Sequence, residues 1–140
     1  MLINFNYETS FKLDKESHYS DWISRVIHFE NSSTGDLNYI FCDDSYLHNI
    51  NLQYLNHDTY TDIITFDYSD ESLISGDIFI SLERVIDNAN IFNVPVTEEL
   101  QRVMIHGVLH MLGYSDKTDE DKRLMRMKEN QMIQLFHVEQ

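Results

Sequence analysis

Cysteine, proline and positive charge are all scarce in this chain. Cys42 is the only cysteine, so no internal disulfide can form, which fits a reducing compartment. Pro95 is the only proline, and no Pro/Gly/Ser-rich linker, repeat or low-complexity tract divides the 140 residues, so one domain is expected. No apolar run approaches the roughly 18–20 residues that a membrane-spanning helix needs. The opening stretch, MLINFNYETSF, has no basic region followed by a long apolar run, so no signal peptide is expected. The chain reads as a soluble, cytoplasmic protein with no membrane partner. Lys and Arg number 10 against 24 Asp and Glu, a formal net charge of −14. That balance argues against non-specific nucleic-acid binding, which depends on cations neutralising phosphates, and no DNA partner is expected.

What is present is a globular composition, 42% hydrophobic and 24% charged, with aromatic and branched residues spread along the whole length. The charge is uneven. Residues 1–96 carry a balance of −12 and residues 97–140 only −2. Lys117, Lys122, Arg123, Arg126 and Lys128 crowd one short stretch. Two readings stay open for it: a solvated helix face with mixed ion pairs, or a local anion-binding patch.

Residues 2–7 alternate apolar and polar and predict a short strand. Asp14 is placed to cap a helix running to about Asn31, with Tyr19, Trp22, Ile23, Val26 and Ile27 on its apolar stripe. NSSTGD reads as a turn, and residues 37–42 as a buried strand. Asp43, Asp44 or Ser45 caps a second helix reaching about Leu55. Residues 63–68 and 77–82 predict two more strands, with a turn at Ser75-Gly76. A helix follows at 83–92. Thr97 opens the next one with Glu98 and Glu99 in its first turn, where acids complement the helix dipole. Gly113 is placed to end it in a left-handed conformation. Thr118 and Asp121 fit a capping box for a last helix reaching about Phe136. The sum is a single α+β domain with a sheet of about four strands and flanking helices.

The stretch IHGVLHMLGYSD, residues 105–116, holds the candidate chemistry. His106 and His110 are four apart on a predicted helix, so both imidazoles lie on one face, one turn apart. The glycine break lets Asp116 return as a third ligand. Two histidines and a carboxylate leave a coordination position open, as catalytic zinc sites do, although the same set also suits non-haem iron. The wheel places Leu100, Met104, Gly107, Val108 and Met111 on the apolar stripe and the two histidines at its edge. A pair of half-exposed histidines satisfied by water or backbone is the competing reading. In H-E-x-x-H peptidases the residue after the first histidine is the general base. Here it is Gly107, which carries no proton, and this argues against a peptidase of that type.

HGVLHMLGY closely resembles the signature of the YbeY family of bacterial rRNA maturation factors, HGxLHLxGYxH. LNHDTYTDIITFDY (residues 55–68) and GDIFIS (residues 76–81) resemble two further segments of that family, in the same order. The resemblance implies a central mixed sheet with flanking helices and a zincin-like metal-binding helix. It implies one zinc ion held at the three signature positions, here His106, His110 and Asp116. It also implies a single-strand-specific, metal-dependent endoribonuclease acting in 16S rRNA 3′-end maturation and ribosome quality control. Its partners would be rRNA and the small ribosomal subunit or a ribosomal protein. Two positions depart from the family pattern. Asp116 stands where histidine is common, which lowers the net positive charge of the site. Leu55 stands where many relatives carry an arginine, and leucine can neither pair with phosphate nor stabilise developing negative charge. His57 is a nearby substitute, or a loop histidine without a role.

Asp62, Thr61 and Asp77 flank the site through the matching segments and are the candidate general bases. Asp62 reads more readily as a helix or turn cap than as a base, and Asp77 as a strand-start residue. Tyr114 is expected to pack beside the site, and Cys42 to lie in the core. The competing functions are a hydrolase of another substrate and a ribosome-assembly factor with a structural zinc, to which Leu55 lends weight.

Overall fold

The computed structural model describes residues 3–56 and 61–138. Along them run β1 (Ile3–Tyr7), α1 (Glu16–Phe29), β2 (Ser33–Cys42), α2 (Asp44–Leu55), β3 (Ile63–Asp67), β4 (Leu73–Ser81), α3 (Leu82–Phe92), α4 (Val96–Met111) and α5 (Asp119–Val138). Strand alternation sorts side chains to two faces. Leu37, Tyr39 and Phe41 of β2 are fully buried on one face with Ile78 and Ile80 of β4. Against them lie Trp22, Ile23, Val26 and Ile27 of α1 and the apolar side of α4. The opposite face buries Cys42 and Ile64 under Leu47 of α2, with the half-buried Phe79 and Ile50 packed against them.

The four strands pair in the order β1-β2-β4-β3. β1 and β4 run parallel to β2, with Phe5 opposite Tyr39 and Tyr39 opposite Ile78. β3 runs antiparallel to β4, with Ile63 opposite Ile80. The sheet is therefore mixed: helices carry the parallel crossovers, and a tight turn joins the antiparallel pair. Two buried polar tips fasten helices to the core. The Tyr39 hydroxyl donates to the Met104 carbonyl of α4 at 2.9 Å. The Trp22 indole N–H donates to the Met132 carbonyl of α5 at 2.7 Å.

Three local expectations are corrected. Ser75 and Gly76 lie inside β4, and the turn is at residues 70–73, where Asp70 and Leu73 exchange backbone hydrogen bonds of 3.0 and 2.9 Å. Gly76 is there for space: a Cβ would sit 2.2 Å from the Phe66 carbonyl oxygen across the hairpin. Residues 33–36 of the expected NSSTGD turn belong to β2, whose register shifts between Thr34 and Leu37. A Cβ at Gly35 would meet the Ser75 Oγ at 2.1 Å, so this glycine also marks close strand approach. Asp14 does not cap α1. Lys15 precedes the helix with φ 60°, and no side chain closes that end.

Candidate metal centre

α4 is buried almost all round. Val103, Ile105 and Leu109 are inside as well as the expected stripe of Leu100, Met104, Gly107, Val108 and Met111. Only a narrow strip stays open, and it carries the half-buried His106 and His110, with side chains 22% and 33% exposed. Gly107 lets the helix settle directly on the sheet, since a Cβ there would lie 3.1 Å from Ile63 and from Ile78. The position that bears the base in H-E-x-x-H enzymes thus faces the sheet, not the histidines.

The helix ends as the glycine predicts. Gly113 has φ 106°. Its N–H donates to the His110 carbonyl at 3.0 Å, and the Tyr114 N–H donates to the Leu109 carbonyl at 3.0 Å. This is the Schellman pattern of bonds, and it turns the chain back over the last turn of the helix. Asp116 is thereby brought over the histidines.

The geometry converges on one point. The two Nε2 atoms are 2.9 Å apart, and Asp116 Oδ2 lies 3.4 Å from each. Zn–N bonds of about 2.0–2.1 Å place tetrahedral ligand atoms roughly 3.3 Å apart, so this donor set fits such an ion. The three residues form the one group of His, Cys, Asp and Glu among the described residues whose ligand atoms are close enough to share a metal.

Both rings are held from behind. His106 Nδ1 is 2.7 Å from Glu129 Oε2, and His110 Nδ1 is 3.0 Å from the Tyr114 carbonyl oxygen. A carboxylate and a carbonyl only accept, so each Nδ1 carries the proton and each Nε2 presents a lone pair to the shared point. Facing lone pairs repel unless a cation lies between them. Burial pulls the pKa of His106 down, but the Glu129 hydrogen bond and the charges of Glu129, Asp116 and Asp62 outweigh burial and hold it above its ordinary value.

Tyr114 does more than pack. Its hydroxyl donates to Glu30 Oε1 and Lys128 Nζ donates to Glu30 Oε2 at 3.0 Å, which pins the loop carrying Asp116 to α1 and α5. Lys128 is thus committed to an internal ion pair. Lys117, Lys122, Arg123 and Arg126 stay exposed.

A cleft of about 270 Å³ opens beside His106, between α3, α4 and α5. Asp62 and Arg126 line it. Burial pushes the Asp62 carboxyl above its ordinary pKa, despite a favourable backbone hydrogen bond and the nearby His106 and Arg84. Thr61 is turned to the Ile63 carbonyl, to which its hydroxyl donates at 3.3 Å. Asp77 accepts from Asn38 Nδ2 at 3.0 Å, and it alternates with Ile78, so it lies on the sheet face away from α4. Leu55 is the exposed last residue of α2. His57 lies outside the described residues. Glu129 and Arg102, which join the site from α5 and α4, were not singled out in the sequence.

Residues 3–137 match the family model described as Endoribonuclease YbeY. A Flavobacterium johnsoniae protein named Endoribonuclease YbeY is 61% identical over 99% of this chain and 100% of its own length. A Flavobacterium psychrophilum protein of the same name is 60% identical over 99% of each chain. A solution structure from Thermotoga maritima superposes with a TM-score of 0.69 at 25% identity, over 98% of this chain and 90% of that one.

Proposed function

Because the chain belongs to the endoribonuclease YbeY family, we propose that it is a metal-dependent endoribonuclease that cuts single-stranded RNA. Its substrate is the 3′ precursor tail of small-subunit rRNA, and its setting is ribosome maturation and quality control in the cytoplasm. The observation that carries the reading is the convergence of His106 Nε2, His110 Nε2 and Asp116 Oδ2, with His106 also lining a cleft that carries Arg126.

The ligands suit zinc. When bound there, a divalent ion supplies charge stabilisation at the phosphorus under attack. The chain's own residues do the rest. Glu129 and the Tyr114 carbonyl fix the rings. Arg126, 56% exposed along its side chain, is placed to contact a phosphate entering the cleft, a role that Leu55 cannot fill. Asp62 lies in the same cleft, and its raised pKa suits it to take a proton at a carboxylate oxygen. Asp77 lies on the wrong face for that role.

A net charge of −14 opposes a polyanion. Lys117, Lys122 and Arg123 follow Asp116 but alternate with Asp119, Glu120 and Asp121, so the cation offered to a phosphate at the cleft is Arg126. The small ribosomal subunit, or a basic ribosomal protein on it, supplies proximity, so strong intrinsic RNA affinity is not required. No helix among the described residues is long and apolar enough to cross a membrane.

The test is cleavage of a single-stranded RNA bearing the small-subunit 3′ precursor tail. Wild type and His110→Ala are purified identically and their metal content is recorded. The expected result is cleavage by wild type that disappears together with the metal in the variant. Equal cleavage by both would mark the activity as contamination and leave an assembly factor as the better description.

A further inference from the structure

We propose that Glu129 is the positioning residue of the metal centre: its buried carboxylate holds His106 in the tautomer and orientation that ligate the ion. The inference rests on the reading of His106, His110 and Asp116 as ligands.

Glu129 is an acid where an apolar residue belongs. Its helix neighbours Met125, Met132 and Phe136 are all buried in the core, and Glu129 itself is only 4% exposed. A carboxylate so placed is costly unless every oxygen is matched. Here both are. Oε2 faces His106 Nδ1 at 2.7 Å, and Oε1 accepts from Arg102 Nη1 at 3.1 Å. Arg102 is itself largely buried, at 14% exposure, so the guanidinium is a fixed counter-charge. Arg126 Nε approaches the same Oε1 at 3.7 Å from the solvent side.

The consequence for His106 is specific. An imidazole has two neutral tautomers, and only the one protonated on Nδ1 leaves Nε2 free to ligate. An acceptor-only partner at Nδ1 selects that form. A charged acceptor also strengthens the ring as an electron donor, which raises its affinity for a cation. His110 has no such partner: its Nδ1 is held by a neutral backbone carbonyl, which no side-chain substitution removes. The two ligands are therefore supported unequally, and the removable support belongs to His106.

The experiment compares wild type with Glu129→Ala and Glu129→Gln. Glu98→Gln is the control, because Glu98 also approaches Arg102, at 4.0 Å, without touching a ligand. Zinc affinity is measured by competition with a chelator at fixed pH. The histidine ring nitrogens are observed by ¹⁵N NMR, with the His106 signals identified from His106→Ala. Glu129→Ala is expected to weaken zinc binding by roughly 10- to 100-fold and to lose the hydrogen-bonded Nδ1–H signal. Glu129→Gln keeps an acceptor oxygen of similar reach and recovers part of the loss. Glu98→Gln binds as wild type does. A folded Glu129→Ala that binds zinc within about twofold of wild type overturns the proposal. If that variant does not fold, the His106 tautomer in zinc-free wild type decides. A neutral His106 ring protonated on Nε2 rather than Nδ1 in zinc-free wild type also overturns the proposal. Wild type that takes no zinc removes the ligand assignment and the proposal with it. Tight wild-type binding with indifferent variants removes the proposal alone.

Discussion

Glu99 lines the same cleft as His106 and is only 5% exposed. Burial pushes its carboxyl above the ordinary pKa, with Arg102 opposing the shift and Asp62 adding to it. A raised pKa in the folded state means that folding favours the protonated form. The stabilisation is complete below the unfolded value of about 4.3 and is lost as pH rises through the raised folded value. Glu99→Gln removes the titration, so the variant should gain on wild type as pH rises from acid toward neutral. Urea denaturation at a series of pH values measures this, and parallel profiles for the two proteins would refute it. At this scale the sequence was legible where spacing is local. His106 and His110 share a face because they are four apart, and Asp116 follows a glycine break. Glu129 was not legible by spacing, since it is 23 residues from His106. Its one trace is an acid on the stripe shared with Met125 and Met132. Asp77 misled for a related reason: a motif gives order along the chain, whereas strand alternation decides which face a side chain takes.

At the scale of elements, the end of α4 is the piece on which the ligand set depends. Gly113 has φ 106°, and a Cβ there would meet nothing within 4 Å. Gly113→Ala therefore tests backbone strain with no steric confusion. It should cost about 1–2 kcal/mol, the penalty for forcing an L-residue into that region, read as a lowered melting temperature. An unchanged melting temperature would mean that the turn relaxes to another closure. The side-chain caps of α2 and α5 were legible, whereas the expected Asp14 cap of α1 does not form. The capping box forms, with Asp121 N–H donating to Thr118 Oγ1 at 3.0 Å, and Asp43 caps α2 by accepting from Tyr46 N–H at 2.8 Å. Glycine misled in the strands. Gly35 and Gly76 look like turn residues, but they are small because another strand's atoms occupy the space of a Cβ. That demand comes from pairing across the sheet, which no local window contains.

At the scale of the whole molecule, four strands and an α+β class follow from periodicity, but the order β1-β2-β4-β3 does not, because pairing partners are chosen by contacts distant in sequence. The proposed centre draws on most of that architecture: the three candidate ligands from α4 and its loop, Glu129 from α5, and Glu30 from the end of α1. Metal binding to the native state alone should therefore stabilise the chain as a unit. At free zinc about 100 times its dissociation constant, the gain is about 2.7 kcal/mol, and a chelator should abolish it. Unfolding curves that do not respond to zinc would sever the centre from the fold. The chain carries its own reporter for this measurement. Trp22 is the only tryptophan, has no solvent exposure, and has its ring edge-on to Phe136 of α5 at 5.1 Å. With its N–H held by the Met132 carbonyl, its emission should be blue while α5 is seated and shift to the red when that helix leaves, so intrinsic fluorescence reads the docking of the C-terminal helix without any label.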